Sequence, residues 1–278
     1  MSKAITYRDL IAECEADSRC YVDVTREGEV ATVTMNNPSR LNALTPALCY
    51  QLHQALRDTA ADPDLRVVIL TGSDPAFCAG GDLQLILRGG EAIRAGGDGA
   101  VTLWRWIRYQ FGGIARLLSQ SDTYFIAAIN GPAAGVGLSF SFACDYQLAS
   151  TRAELVLAFG KIGLVPEVGS NWHLTRRLGY HKAMALFVAG GRLSADDAHG
   201  LGLVNDVVAH EALLATARQW AQRVLALPEN VTAMTKAQMR KVADMSWEQA
   251  ITMEEFAEPI CFSTDPHRAA VEALLARS

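Results

Sequence analysis

The chain has 278 residues, half of them hydrophobic and a fifth charged, which is enough to bury a core in one large domain or two small ones. With a formal net charge of -5, it lacks the basic surface that nucleic acid or an anionic membrane would require. The first twenty residues carry acids and no apolar run, which predicts a cytoplasmic protein. The six scattered cysteines are predicted to be free thiols.

The N-terminal part predicts a hairpin followed by a helix. Two strand-like runs in CYVDVTREGEVATVTMN flank a turn at residues 26–28. Thr45 is a suitable N-cap, and Pro46 fits the first helical position, where its missing N–H is not needed. An amphipathic helix is therefore expected from Pro46 onward.

The middle of the chain repeats one pattern, in which an apolar strand leads into a turn of small residues. RVVILTG leads to PAFCAGGDL (75–83), YFIAAING leads to NGPAAGVGLSF (130–140), and a further strand, YQLAS, follows at 146–150. Residues 124–144 carry no charge, but Asn130 and Pro132 indicate a buried strand, a turn and a buried helix rather than a membrane span. Strands alternating with helices predict an α/β fold.

The pattern from Ser194 onward is helical, with Ser194 and Asp197 as a capping box. Helices are predicted at 210–226, 229–243, 246–260 and 265–276. The glycine-rich residues 88–100 predict a mobile loop beside the first turn.

The two small-residue turns suggest chemistry carried by the backbone. Glycines after a strand allow N–H groups to point into a cavity, and a following helix adds its partial positive charge. Two such turns can direct two donors at one oxygen and form an oxyanion hole. The alternative is that the glycines only permit tight turns and close helix packing.

The chain also contains six characteristic segments, namely NNPSRLNALTP, VVILTGSDPAFCAGGDL, YFIAAINGPAAGVG, ACDYQLAS, IGLVPEVGS and LSADDAHGLGLVNDVV. In this order and spacing they resemble the crotonase superfamily, that is, the enoyl-CoA hydratase/isomerase family, over nearly the whole chain. The resemblance implies a ββα spiral core with the acyl-CoA site in residues 1–193 and a C-terminal helical region, residues 194–278, that forms homotrimers or hexamers. It implies an acyl-CoA substrate, so coenzyme A enters with the substrate and no separate cofactor is expected.

The resemblance assigns the two backbone donors to Ala79 in CAGGD and Val136 in AAGVG. Only the N–H is used, so valine can replace the glycine that is common in the family at the second position. Asp82 is expected to brace the first turn as a helix N-cap. The residues expected to bind substrate are Arg40, Gly80, Gly81, Asp82, Gly135, Ser139 and Phe159.

The resemblance also shows which catalytic carboxylates are missing. Typical hydratases of the family use two glutamates, and their positions are occupied here by Ser139 and Phe159. A third acidic position, used by isomerases of the family, is Glu167 in GLVPEVGS. In an apolar pocket beside Phe159 and Val136, the pKa of Glu167 would rise, as suits a proton shuttle. The alternative is a solvated acid before a helix that begins near Ser170.

Other candidates each have a structural alternative. Arg40 in PSRLNAL lies where the family places the nucleotide and can pair with a phosphate, or it is a surface arginine. Cys78 is interpreted as a packed thiol rather than a nucleophile, and His173 as a structural histidine. Three aromatic residues either pack in the core or line an acyl pocket: Trp104, Trp106 and Tyr109. The histidines show no metal-binding spacing, so no metal is predicted.

These observations favour an enoyl-CoA isomerase that moves a double bond through a dienolate, with Glu167 as the proton carrier. The first alternative is a hydratase or lyase that recruits water differently, through Ser139. The second is a non-catalytic acyl-CoA-binding homologue that has lost its acids.

Overall fold

The computed structural model describes residues 6–276, which form two sheets surrounded by helices. The strands are β1 (Val22–Glu27), β2 (Val30–Met35), β3 (Val67–Gly72), β4 (Tyr124–Ile129), β5 (Ala133–Ala134), β6 (Tyr146–Ser150), β7 (Glu154–Val156), β8 (Arg192–Ser194) and β9 (Asp206–Val208). The main sheet has the order β1-β2-β3-β4-β6-β9, and a smaller sheet has the order β5-β7-β8. In the main sheet only β1 runs antiparallel to its neighbour, so the carboxyl ends of β2, β3, β4, β6 and β9 share one edge.

Thirteen α-helices lie in the described part of the chain. They are α1 (Tyr7–Ala16), α2 (Pro46–Ala61), α3 (Leu83–Arg94), α4 (Gly99–Trp106), α5 (Gly112–Gln120), α6 (Gly135–Ala143), α7 (Ser170–Leu178), α8 (Tyr180–Ala189), α9 (Ala195–Gly200), α10 (Leu213–Leu225), α11 (Glu229–Val242), α12 (Trp247–Phe262) and α13 (Asp265–Leu275). A π-helical turn, Ile107–Phe111, joins α4 to α5.

Both faces of the central strands of the main sheet are buried, which is why β3 and β4 read as nearly continuous apolar runs. One face of the main sheet packs against α10, which contributes Leu213, Ala217 and Ala221 to this contact. The opposite face forms the larger core with α2, α5 and α6. Because α6 lies inside this core, all eight residues from Val136 to Ala143 are buried.

Most of the predicted elements are confirmed. The β1–β2 hairpin, the Thr45 N-cap and the N-cap role of Ser194 are present, and the four predicted C-terminal helices match α10 to α13 within three residues. All six thiols are free. Residues 124–144 form strand, turn and helix as expected, and within residues 6–276 no helix is long and apolar enough to cross a membrane.

Two sequence predictions are corrected. Residues 88–100 do not form a long loop, because α3 extends to Arg94 and α4 begins at Gly99. The chain after Ser194 is not entirely helical, because β9 pairs with β6 and extends the main sheet. That strand has only three residues, too few for alternation of polar and apolar residues to reveal it.

A buried ionic cluster attaches α11 to the core. Lys236 is 8% exposed, and its ammonium lies 2.8 Å from the carboxylate of Asp145 and 2.6 Å from the carbonyl of Thr123. Arg240 pairs with the other oxygen of Asp145 at 2.8 Å and donates to the carbonyl of Ala143. The carboxyl end of α6 is therefore held by two cations from α11.

Candidate active site

The two small-residue turns lie directly against each other. The backbone N–H of Ala134 donates to the carbonyl of Cys78 at 2.8 Å, and the N–H of Phe77 donates to the carbonyl of Pro132 at 3.1 Å. A Cβ atom on Gly80 would lie 2.7 Å from the carbonyl oxygen of Ala134, closer than real side chains come. Glycine is therefore required where the backbones meet, and the turns act as one unit.

The structure corrects the assignment of the first donor to Ala79. The N–H of Ala79 donates to the carbonyl of Leu41 at 2.9 Å and cannot serve an external oxygen. The N–H of Gly80 lies close to the Cys78 thiol and partly opposes the rise of its pKa on burial. The next amide along the turn, that of Gly81, has no hydrogen-bond partner among residues 6–276. Gly81 pairs with Leu44 in a single parallel bridge. The hydrogen bonds of this bridge use the carbonyl of Gly80 and the N–H of Asp82, so the N–H of Gly81 itself is left free.

The Leu41 carbonyl reaches Ala79 because the backbone before α2 takes an unusual conformation. Leu41 and Asn42 have φ angles of 52° and 54°, in the left-handed region that few side chains favour. The buried amide of Asn42 compensates, since it donates to the carbonyls of Ser73 at 2.8 Å and Ala76 at 2.7 Å. Asn42 thus joins this segment to the approach of the first turn, a role that its isolated position in the sequence did not indicate.

The second donor, Val136, remains available at the start of α6. It lies in the first turn of the helix, where N–H groups have no partner within the helix, and no side chain caps that end. Among the described residues, no hydrogen bond occupies the Val136 amide. Gly135 precedes it with a φ of 50° and turns the chain from β5 into the helix. The site therefore presents free amides and a helix N-terminus together.

Asp82 braces the first turn, as predicted. Its carboxylate accepts from the N–H of Leu85 at 3.0 Å, which makes it the N-cap of α3. The guanidinium of Arg40 lies 3.2 Å from the other carboxylate oxygen of Asp82. Arg40 is 44% exposed, so it lies at the rim of the site with one face in solvent.

Ser139 is a buried junction between the second turn and the segment of Glu167. Its hydroxyl lies 3.1 Å from the carbonyl of Gly135, 3.1 Å from the carbonyl of Glu167 and 2.6 Å from the hydroxyl of Ser170. The side chain of Ser139 is fully buried. Phe159 is also buried and lies 3.9 Å from the position of a Cβ on Gly135. Ser139 and Phe159, at the positions of the two missing glutamates, thus both lie next to Gly135 of the second turn.

Glu167 is a half-buried carboxylate without a charged partner. No hydrogen bond or ion pair of its side chain occurs among residues 6–276, and burial raises the pKa of its carboxyl to about 7. The next residue, Val168, has a φ of 58°, a strained conformation for a β-branched residue. The N–H of Ser170 and the hydroxyl of Ser139 fix the Glu167 carbonyl and offset this strain. The carboxyl of Glu167 is therefore partly desolvated, which favours the proton-shuttle interpretation over a solvated turn acid.

Glu167→Gln is expected to stabilise the protein at high pH. The pKa is about 7 in the folded state and 4.5 ordinarily, so the folded state holds more protons between these values and stability falls as pH rises through them. Removing the charge should add on the order of 1–3 kcal/mol above pH 7 and little near pH 4. Thermal unfolding at both pH values measures this.

Glu91→Gln on the exposed face of α3 is the matched control and should leave the thermal stability unchanged at both pH values. A stability difference between Glu167→Gln and wild type that does not depend on pH would contradict the desolvation of this carboxylate.

The other sequence candidates have structural roles. Burial raises the pKa of Cys78 to about 12, and its thiol donates to the carbonyl of Asn42, so it is a packed thiol. Burial, with Arg177 and Arg240 nearby, lowers the pKa of His173 to about 3, so this ring is neutral.

The three aromatic residues predicted on one helix differ in their exposure to solvent. Trp106 is buried in the core, whereas Trp104 is 54% exposed and Tyr109 is 47% exposed. The guanidinium of Arg108 lies over both exposed rings. Within residues 6–276, no group of three or more His, Cys, Asp or Glu residues is placed to hold a metal ion.

The site is thus built from two turns that follow parallel strands, with the unoccupied backbone amides of Gly81 and Val136 in them. Residues 25–275 match the family model described as enoyl-CoA hydratase/isomerase. The chain belongs to the enoyl-CoA hydratase/isomerase family and has the crotonase fold.

Two relatives and one solved structure illustrate the similarity. A 1,2-epoxyphenylacetyl-CoA isomerase from Escherichia coli (strain K12) is 31% identical over 90% of this chain and 94% of its own. A probable enoyl-CoA hydratase from Mycobacterium tuberculosis is 37% identical over 77% of this chain and 79% of its own. A crystal structure of an enoyl-CoA hydratase/isomerase from Cupriavidus metallidurans CH34 has a TM-score of 0.84 at 30% identity, covering 94% of this chain and 96% of that one.

Proposed function

We propose that this protein is an enoyl-CoA isomerase that moves a double bond from the 3 position to the 2 position of an acyl-CoA thioester. The observation that carries the proposal is the half-buried, unpartnered carboxylate of Glu167, whose backbone carbonyl lies 3.1 Å from the Ser139 hydroxyl of the second turn. Relatives carry the names of both isomerases and hydratases, so the reaction must be argued from the side chains of this chain.

The oxyanion hole consists of the amides of Gly81 and Val136. When a proton leaves the α-carbon of a 3-enoyl thioester, the electron pair moves onto the thioester oxygen and gives a dienolate. Two fixed N–H donors and the N-terminus of α6 stabilise that negative charge without having to reorganise. These donors need no side chain, which agrees with the small residues of both turns.

Glu167 carries the proton between the two carbons. As a carboxylate it takes the proton from the α-carbon, and as a carboxylic acid it returns the proton to the γ-carbon. The double bond then lies between the α- and β-carbons, and Glu167 is again a carboxylate. A pKa of about 7 suits both steps, because neither protonation state is strongly disfavoured near neutral pH.

Hydration is disfavoured because Ser139 is not free to position water. Its hydroxyl has one proton and already lies within hydrogen-bond distance of two carbonyls and of Ser170. Phe159, at the other glutamate position, has no acidic or hydrogen-bonding group that could activate water. A hydratase would need a second acid beside Glu167, which these two positions do not supply.

Coenzyme A is proposed to enter along Arg40. A cavity of about 420 Å³ is lined by Arg40 together with Arg19 and Arg88. Arg40 is paired with Asp82, Arg19 with Asp17, and Arg88 with Glu13, so a phosphate would compete with these carboxylates for the guanidinium groups. Since all three arginines are more than 40% exposed, such an exchange costs little.

The proposed reaction is tested by incubating the protein with 3-enoyl-CoA and 2-enoyl-CoA thioesters in deuterated water. Isomerisation leaves the covalent composition unchanged apart from deuterium at exchanged positions, whereas hydration adds one water to the product mass. We expect conversion of 3-enoyl-CoA to be faster than hydration of 2-enoyl-CoA. Faster hydration would favour the hydratase, and binding without exchange at the α-carbon would favour a non-catalytic homologue.

We also propose that the C-terminal helices assemble the protein into a trimer. No residue of α12 or α13 is buried, yet they expose Trp247 and Phe256 at 75% each and Phe262 at 60%. Apolar surface of this kind marks an interface between proteins. Light scattering at micromolar concentration should give a mass of three chains or a multiple of three, and a monomer would contradict the assembly.

A further inference from the structure

Three side chains connect the places where the two turns begin. Asp74 follows β3, Asn130 follows β4, and His210 precedes α10. His210 Nε2 lies 3.0 Å from Asp74 Oδ2, and His210 Nδ1 lies 3.1 Å from the Asn130 carbonyl. The Asn130 side-chain amide closes the ring by donating to Asp74 Oδ1 at 3.0 Å. One histidine therefore joins the ends of two adjacent parallel strands.

Each partner of His210 leads directly into one of the proposed donors. The chain runs from Asp74 through six residues to Gly81, and from Asn130 through five residues to Val136. The side chain of Asn130 also accepts from the N–H of Gly72 at 3.3 Å. Both partners of His210 therefore lie on the two segments that carry the Gly81 and Val136 amides.

The ring of His210 faces an acceptor on each side. The Asn130 carbonyl and the Asp74 carboxylate can only accept, while a neutral imidazole has a single N–H. Whichever ring nitrogen carries the proton therefore has an acceptor within hydrogen-bond distance. The charged groups around the pair are Asp74, whose pKa is lowered first by the bond from Asn130 and then by His210, and the more distant cation Arg152.

We propose that His210 is a positioning residue that fixes the distance between the Gly81 and Val136 amides. This inference rests on the proposed function, because it takes those two amides as the oxyanion donors. His210 itself need not touch the substrate. Its side chain is 15% exposed, packed between the two strand ends.

The contribution of each contact can be separated with three variants. His210→Asn keeps a donor near the Nδ1 position for the Asn130 carbonyl, and His210→Gln keeps one near the Nε2 position for Asp74. His210→Leu keeps neither. We expect kcat to fall about 10–100-fold in the Leu variant, as for other small displacements of a reacting group, with smaller losses for Asn and Gln and an unchanged Kd for coenzyme A. His199→Leu, on the exposed side of α9, is the matched control.

An infrared measurement tests the same geometry without relying on turnover. Butanoyl-CoA labelled with ¹³C at the thioester carbonyl is bound to each variant, and the shift of the C=O stretch to lower wavenumber reports polarisation by the two amides. We expect a full shift in wild type and the His199→Leu control and a reduced shift in His210→Leu. Thermal unfolding of each variant is measured alongside.

The outcomes separate the two proposals. If wild type fails to bind butanoyl-CoA, or binds it without a shift, the oxyanion hole of the proposed function is refuted. If wild type shows the shift and the folded His210 variants keep both the full shift and kcat, the positioning role is refuted while the oxyanion hole stands. If the Leu variant does not fold, the Asn and Gln variants decide by the same criterion.

Discussion

Glu167→Gln is expected to slow the conversion of 3-enoyl-CoA to 2-enoyl-CoA by about 10²–10⁴-fold, the usual contribution of a general base. The amide keeps the shape of the side chain but cannot take a proton, and no other acid replaces it at Ser139 or Phe159. Because the amide still fills the pocket, the Kd for acyl-CoA should hardly change. Steady-state rates and equilibrium binding with a 3-enoyl-CoA measure the two effects.

The pH profile of the wild-type enzyme provides a second measurement of the same group. The carboxylate must be ionised to accept the α-proton, so kcat/KM should rise as pH increases through about 7 and then level off. Glu91→Gln should reproduce the wild-type profile. Full activity in Glu167→Gln would assign this residue to the structure of its turn and would end the proposal that it carries the proton.

Val136→Pro is expected to lower turnover by about 10²–10³-fold, comparable to the loss of one oxyanion donor in other enzymes. Proline removes the N–H, and its fixed φ is tolerated in the first turn of a helix such as α6. Val136→Ala, which keeps the N–H, is the control and should retain activity within a few-fold. Rates and circular dichroism of both variants measure chemistry and folding separately.

Activity in a folded Val136→Pro variant equal to that of Val136→Ala would show that the amide is not used. A loss in both variants would instead assign the effect to packing of the valine side chain, which is only 3% exposed.

The parts of the fold that were predicted from sequence are those determined by local patterns. Continuous apolar runs gave β3 and β4 because both faces of these strands are buried, and Pro46 after Thr45 gave the start of α2 because both residues act locally. The exposed Trp104 and Tyr109 could not be distinguished from the buried Trp106 by sequence, because burial depends on how α1 and α3 pack against α4.

The site was predicted to the level of segments but not of atoms. The resemblance placed Glu167 and Ser139, and the structure brings them together. The resemblance assigned the first donor wrongly to Ala79, because that amide bonds to the carbonyl of Leu41. Leu41 is 38 positions away in the sequence and has a left-handed backbone conformation. No sequence pattern pointed to His210, since the residues it contacts are 80 and 136 positions away in the sequence.

The complete burial of α6 limits how this enzyme can be engineered. Every side chain from Val136 to Ala143 is packed, so a larger residue there would shift the same backbone that supplies the proposed oxyanion donor. By contrast, α3 begins one residue after Asp82 and exposes Leu83 and Leu87, at 64% each. Libraries aimed at new acyl groups should therefore vary α3 and leave α6 as an invariant scaffold.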